Sequence, residues 1–184
     1  MEKKEEAYEF LKNHVDTENL MQHSLAVSKT MEKLASRLGE DEEKWSITGM
    51  LHDVDYEKTK DAPEQHSLEA SKMLAEAGID EEICHAVKAH NAHHEVPRKT
   101  NLDCALYSVD ALTDLIFAAA LLHPDKKLSS IDKNFVLDRY AEPSFARGSN
   151  RAQIAECQEL GLNLEEFVDI CLAAMQEIAH DLEP

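Results

Sequence analysis

The chain has 184 residues, enough for one domain with its own hydrophobic core. Apolar residues at 43% and charged residues at 30% exclude a disordered chain, and only five glycines and five prolines disfavour a many-turned β sandwich. A formal net charge of -18 at pH 7 sets nucleic-acid polymers and anionic membranes aside as partners, because long-range repulsion opposes both. A phosphate-bearing substrate stays compatible with such a surface only where a bound cation offsets the charge locally.

In chain order, residues 5–13 read as a short first helix. A second starts at the N-cap candidates Asp16 and Thr17 and runs to Leu38, with Gly39 as its stop. Residues 41–53 read as a third, with Asp41, Glu42 and Glu43 where the helix dipole favours acids. Residues 54–63 read as a polar loop, 66–77 as a helix stopped by Gly78, and 80–91 as a helix capped by Asp80. A loop over 92–100 precedes a long apolar helix over 101–122 that ends at Pro124. A short helix near 132–140, a loop around Pro143 to Ser149, and helices over about 150–160 and 163–181 complete the chain. No stretch alternates with period two, so the expected fold is all-α, an irregular multi-helix bundle over 1–184.

Cys84, Cys104, Cys157 and Cys171 lack CxxC spacing and read as buried free thiols, from which a reducing cytoplasm is expected. Met1 to Phe10 lacks the apolar core of a signal peptide, and the longest apolar run, Leu115 to Leu122, is too short to span a bilayer.

Several polar residues occupy positions where the helical pattern wants apolar ones. His23 falls on the edge of the stripe Leu20, Val27, Met31, Leu34 and Leu38. Asp110 sits amid Leu102, Leu106, Val109, Thr113 and Phe117 on a helix without Lys or Arg. His90 follows Ile83 and Val87 at helical spacing, His66 aligns with Ala70, Met73 and Ala77, and His52-Asp53 ends an apolar helix. Singly, each histidine reads as readily as a core or helix-end residue. A carboxylate in an apolar stripe, however, needs a cation, and a metal held by imidazoles and carboxylates supplies one.

His23, then His52-Asp53 (preceded by Leu51) with 28 residues between the two histidines, then Asp110 within Leu106-Tyr107-Ser108-Val109-Asp110, resembles the H…HD…D signature of the HD superfamily of metal-dependent phosphohydrolases. The resemblance covers roughly residues 17–123, leaving 124–184 as a C-terminal helical extension packed on the core. The segments around His66 and His90 resemble the extra histidine motifs of the binuclear branch. That branch includes the HD-type diadenosine tetraphosphate hydrolases and the HDIG proteins. The resemblance implies that His23, His52, Asp53 and Asp110 hold one metal, that Asp53 bridges, and that His66 and His90 complete a second. The implied cofactor is one or two divalent transition metal ions, iron or manganese favoured, with zinc, nickel, cobalt or magnesium as alternatives. Asp53 and His52 are implied at the catalytic centre.

Two departures stand out. Val54-Asp55 follows the HD pair where an HDIG protein has Ile-Gly. His93-His94-Glu95 is similar to the paired histidines of the HD-GYP phosphodiesterases, but no Gly-Tyr-Pro follows. Either histidine is a candidate for a further ligand, and Asp114, one turn after Asp110, for a group behind the ligands.

The expected reaction is hydrolysis of a small phosphate ester or anhydride, a nucleotide or dinucleotide, by a metal-activated water whose pKa falls to about 7 in favourable zinc sites. Arg147 and Arg151, before a helix that Ser149 could cap, are the first candidates for substrate contact; Lys58, Lys60, Lys126 and Lys127 are the others. The periodic Leu160, Leu164, Phe167, Ile170, Cys171, Ala174 and Ile178 read as core packing, with a homodimer face as the alternative. Two rival functions share the ligand set: a di-iron oxygenase, which would need iron and consume O₂, and a non-catalytic metal-binding regulatory module.

Overall fold

The computed structural model describes residues 3–182, and helices are the only regular elements among them. They are α1 (Lys4–Lys12), α2 (Glu18–Leu38), α3 (Glu42–Leu51), α4 (Tyr56–Thr59), α5 (Leu68–Glu76), α6 (Glu81–Ala89), α7 (Asn101–Leu122), α8 (Lys133–Ala141), α9 (Arg151–Ala155), α10 (Leu164–Glu177) and α11 (Ala179–Leu182). Short 3₁₀ turns lie at Ala92–His94, Leu128–Ser130 and Glu156–Leu160.

The long helix α7 is the axis, packed by α2, α3, α6, α8, α9 and α10. Its capping box explains its sharp start: the Thr100 side chain accepts the Asp103 N–H, and the Asp103 carboxylate accepts the Thr100 N–H. By length and composition α7 could cross a bilayer, but two-thirds of that stretch is buried inside the protein, as the central helix of a core should be. One hydrophobic cluster runs from Ala7 and Leu11 on α1 to Phe167, Cys171 and Met175 on α10. The C-terminal stripe therefore faces inward: Phe167, Cys171 and Ala174 are fully buried, and Leu164, Ile170 and Ile178 are partly so.

The closest packing for the site is α3 against α2. A Cβ at Gly49 would lie 2.8 Å from the Val27 carbonyl oxygen and 2.9 Å from the Ser28 N and Cα atoms, so only glycine fits there. Ser28 Oγ donates to the Ser46 carbonyl at 2.9 Å across the same seam. This contact brings the C-terminus of α3 beside the second turn of α2.

Several local expectations are corrected. The stretch 54–63 is no plain loop: it forms α4, and Val54, Asp55 and Thr59 are buried. Thr17 is the N-cap of α2, but its side chain makes no cap bond; instead Glu57 Oε1 accepts the Thr17 N–H at 2.8 Å and its hydroxyl at 2.6 Å. The helix expected over 66–77 begins only at Leu68, because Ser67 takes a left-handed conformation at φ 71° and leaves His66 in the preceding turn. Asn150 rather than Ser149 caps α9, accepting the Ala152 N–H at 3.0 Å. The last two expected helices each break in two: the first into α9 and a 3₁₀ turn of equal length, the second into α10 and the short α11.

Candidate metal centre

Six side chains expected to act together converge from five parts of the fold. His23 comes from α2, and His52 and Asp53 from the end of α3. His66 lies between α4 and α5, His90 is the C-cap of α6, and Asp110 is on α7. His23 Nε2 lies 3.2 Å from His52 Nε2 and 3.2 Å from Asp110 Oδ1. His52 Nε2 is 3.6 Å from Asp110 Oδ1 and 3.5 Å from Asp53 Oδ2. The other oxygen of Asp53, Oδ1, is 3.4 Å from both His66 Nε2 and His90 Nε2. His52 is fully buried, His90 nearly so, and Asp110 keeps about a quarter of its side chain open to a cavity.

The hydrogen bonds on the far sides of the rings determine what these nitrogens are. His52 Nδ1 lies 2.8 Å from the Gly49 carbonyl, His90 Nδ1 2.6 Å from the Val87 carbonyl, and His66 Nδ1 2.9 Å from Asp55 Oδ1. Each of these partners can only accept, so Nδ1 carries the proton and the neutral ring turns an Nε2 lone pair inward. Those lone pairs face carboxylate oxygens, which are also acceptors. Asp53 Oδ1 is buried without a hydrogen-bond donor. A buried cluster of acceptors aimed at one another is stable only with positive charge at its centre. The donor set, neutral imidazoles with carboxylates, suits a divalent transition metal, and two tight groups could hold one: His23, His52 and Asp110, and His52, Asp53 and His90.

The ionisation of the ion-free chain shows the same demand. Burial pushes Asp110 up, but hydrogen bonds and charge from His23 and His52 hold its carboxyl well below the usual range. Burial pulls His23 down, yet Asp110 and Asp114 hold its imidazole well above its ordinary value. For Asp53, burial is likewise outweighed by the His52 and His90 rings, and its carboxyl is lowered. Protons on imidazole stand in for the missing positive charge.

The site residues span 23–110, and the HD domain family matches residues 20–115, about half of the chain. The chain belongs to the HD domain family. The HD domain marks the metal-dependent phosphohydrolase superfamily. Similar proteins include ribonuclease Y of Oleidesulfovibrio alaskensis, 30% identical over 97 residues, which are 53% of this chain and 18% of that protein. Ribonuclease Y of Nitratidesulfovibrio vulgaris is 31% identical over 97 residues, 53% of this chain and 18% of that protein. Ribonuclease Y of Mesoplasma florum is 28% identical over 100 residues, 52% of this chain and 19% of that protein. The chain thus spans about a fifth of the length of these relatives. No solved structure matches it.

The cavity over the HD cluster has a volume of about 590 Å³. His23, Asp53, His66, Asp110 and Asp114 line it alongside Thr17, Asn19, Leu20, Tyr56, Glu57 and Lys60. Asp114 reaches back to His23, Oδ1 to Nδ1 at 3.2 Å, behind the first group. Arg147 and Arg151 do not line the cavity. The Arg151 guanidinium is wrapped by the carbonyls of Tyr140, Ala146, Ser149, Arg139, Glu142 and Phe145 at 2.7–3.2 Å, which makes it the clasp of the 139–151 segment. Arg147 is exposed in that segment. Among the described lining residues the one lysine or arginine is Lys60. His94 joins neither ligand group: its Nε2 lies 2.7 Å from the His66 carbonyl, an acceptor, and so carries a proton, while His93 is exposed.

Asp55 and Gly49 were missed by sequence reasoning. Asp55 showed only as a departure from a motif. Gly49 had a readable signal: a residue without a side chain in an apolar helix, one turn before His52.

Proposed function

We propose that the chain hydrolyses a small phosphate ester or anhydride, a nucleotide or dinucleotide, at a two-ion centre. In that centre His23, His52 and Asp110 hold one ion, His66 and His90 the other, and Asp53 bridges. The observation that carries the two-ion reading is the division of Asp53: Oδ2 faces His23 and His52 at 4.0 and 3.5 Å, while Oδ1 faces His66 and His90. Bound ions would supply a water of lowered pKa and positive charge opposite the phosphoryl oxygens. The ligand geometry leaves the metal open, and iron or manganese suits the donor set.

The chain's own residues support the substrate class. The cavity volume falls in the range of small-molecule sites, about 300–1,000 Å³. Lys60 at its wall offers a charge-assisted hydrogen bond to phosphate. Tyr56, half exposed and edge-on to His66 with ring centroids 5.4 Å apart, offers an aromatic face to a nucleobase. The net charge of -18 and the single lysine or arginine among the described lining residues speak against a long polyanion, even though the relatives are named ribonucleases.

The test is release of phosphate from nucleotides, or of nucleotides from dinucleoside polyphosphates, under argon, with wild type and Asp53→Ala. Anaerobic turnover that Asp53→Ala abolishes is expected. Turnover only in air, with O₂ consumed, would replace the hydrolase reading with an oxygenase one.

A further inference from the structure

The HD pair is followed by a buried carboxylate. Asp55 is fully buried, and its two oxygens serve different partners. Oδ2 accepts the backbone N–H groups of Ser67 at 2.8 Å and Ala70 at 2.9 Å, closing the first turn of α5 from twelve residues upstream. Oδ1 meets His66 Nδ1 at 2.9 Å. A cap alone would not need this arrangement. Ser67 is already at the N-cap position, where its own hydroxyl could serve, yet it takes the left-handed conformation and turns its Oγ to the Lys88 carbonyl at 3.3 Å. That turn leaves the His66 carbonyl between Asn91 Nδ2 at 3.2 Å and His94 Nε2 at 2.7 Å. The ring of His66 is held from one side and its backbone from the other.

From this geometry we infer that Asp55 is a positioning residue: it fixes His66 as the Nδ1–H tautomer and aims the Nε2 lone pair at Asp53 Oδ1, so that the second ion site is preformed. The inference rests on the reading of His66 as a ligand. It gives Asp55 work that two other histidines of the centre obtain from backbone carbonyls, His52 from Gly49 and His90 from Val87. His66 lies outside a helix and has no such carbonyl, so a carboxylate two residues beyond Asp53 takes that place.

Asp55→Asn separates the two tasks of this carboxylate. The amide oxygen can still accept both backbone N–H groups, but the amide nitrogen then faces His66 Nδ1 and donates to it. Nδ1 must accept, the proton moves to Nε2, and the lone pair is lost from the centre. The measurements are long-range ¹H–¹⁵N correlation of histidine side chains in chelated protein, above the imidazole titration range, and Mn²⁺ equilibrium dialysis of the full chain. Wild type is expected to show His66 as Nδ1–H and to bind two Mn²⁺. Asp55→Asn is expected to show Nε2–H and to bind the second Mn²⁺ about 10–100-fold more weakly, with the first unchanged. Two Mn²⁺ held equally tightly by Asp55→Asn would overturn the inference, as would an Nε2–H ring in wild type, which can be read even if the variant fails to fold. Wild type that binds no Mn²⁺ while its tautomer inverts in Asp55→Asn would defeat the metal-centre reading and uphold the hold of Asp55 on the ring.

Discussion

Gly49→Ala sets two opposed effects against each other. Alanine is the better helix former by about 1 kcal/mol, and in an open helix position the change stabilises. Here the new methyl would sit 2.8–2.9 Å from three backbone atoms of Val27 and Ser28, well inside van der Waals contact at about 3.5–4.0 Å. Backbone atoms in the middle of α2 have no rotamer to change, so α3 must move off by more than half an ångström. Overpacking of this kind costs about 1–3 kcal/mol, and contact with three backbone atoms of α2 places it at the upper end. The net is about 2 kcal/mol of destabilisation, or a fall in Tm of about 4–8 °C for a chain of this size. Because His52 and Asp53 lie just beyond Gly49 and His23 lies on α2, the same movement opens the 3.2 Å spacing of His23 and His52. Thermal unfolding of ion-free protein and Mn²⁺ affinity, measured together, read both effects. A variant as stable as wild type or more so would show that helix propensity wins and that the α2–α3 seam is looser than described.

Other perturbations separate the cavity from the scaffold. Lys60→Ala should raise KM for the best phosphate substrate about tenfold, the equivalent of about 1.4 kcal/mol, with Tm unchanged; an unchanged KM would remove Lys60 as a substrate contact. Arg151→Ala should do the reverse, lowering stability by on the order of 3 kcal/mol as its carbonyls lose their donor, and leaving KM alone. The acid–base balance of the centre predicts a pH profile for chelated protein. Asp110, held low, contributes stability that is present above its unfolded pKa of about 3.9 and lost as pH falls through its lower folded value. His23, held high, contributes stability that is fully present below its unfolded pKa of about 6.5 and lost as pH rises through its higher folded value. The Tm of the ion-free chain should therefore be greatest between about pH 4 and 6.5 and decline on the alkaline side, whereas ion-loaded protein should not decline there, since a metal replaces the proton. An ion-free Tm that climbs from about pH 6.5 to 8.5 would contradict the assignment.

What the sequence made legible was local or periodic. The long helix 101–122 carried its apolar faces and stop in one stretch, and the structure matches its bounds. His23 and Asp110 could be found because each interrupts an apolar stripe, which is a signal of spacing. The centre's third side was harder. Residues 54–70 have too short and polar a pattern to betray α4 or the left-handed turn at Ser67, and the bond from Asp55 to that turn is made through space. The arginines of 147–151 misled for a related reason: a cation near a helix start resembles an anion site, and only the chain's return past Arg139 and Tyr140 shows that carbonyls already surround Arg151. Lys60 could not be told from other surface lysines until Glu57 tied the short helix to the start of α2 and set Lys60 at the cavity wall.

The central claim is that two ions sit between these histidines and aspartates. Elemental analysis of untagged protein purified without chelators, counted per chain for wild type and His66→Ala, tests it most directly. The account predicts about two equivalents for wild type and about one for His66→Ala. Two equivalents retained by His66→Ala would contradict the ligand assignment, and no metal in wild type, with none taken up on reconstitution, would contradict the metal centre itself.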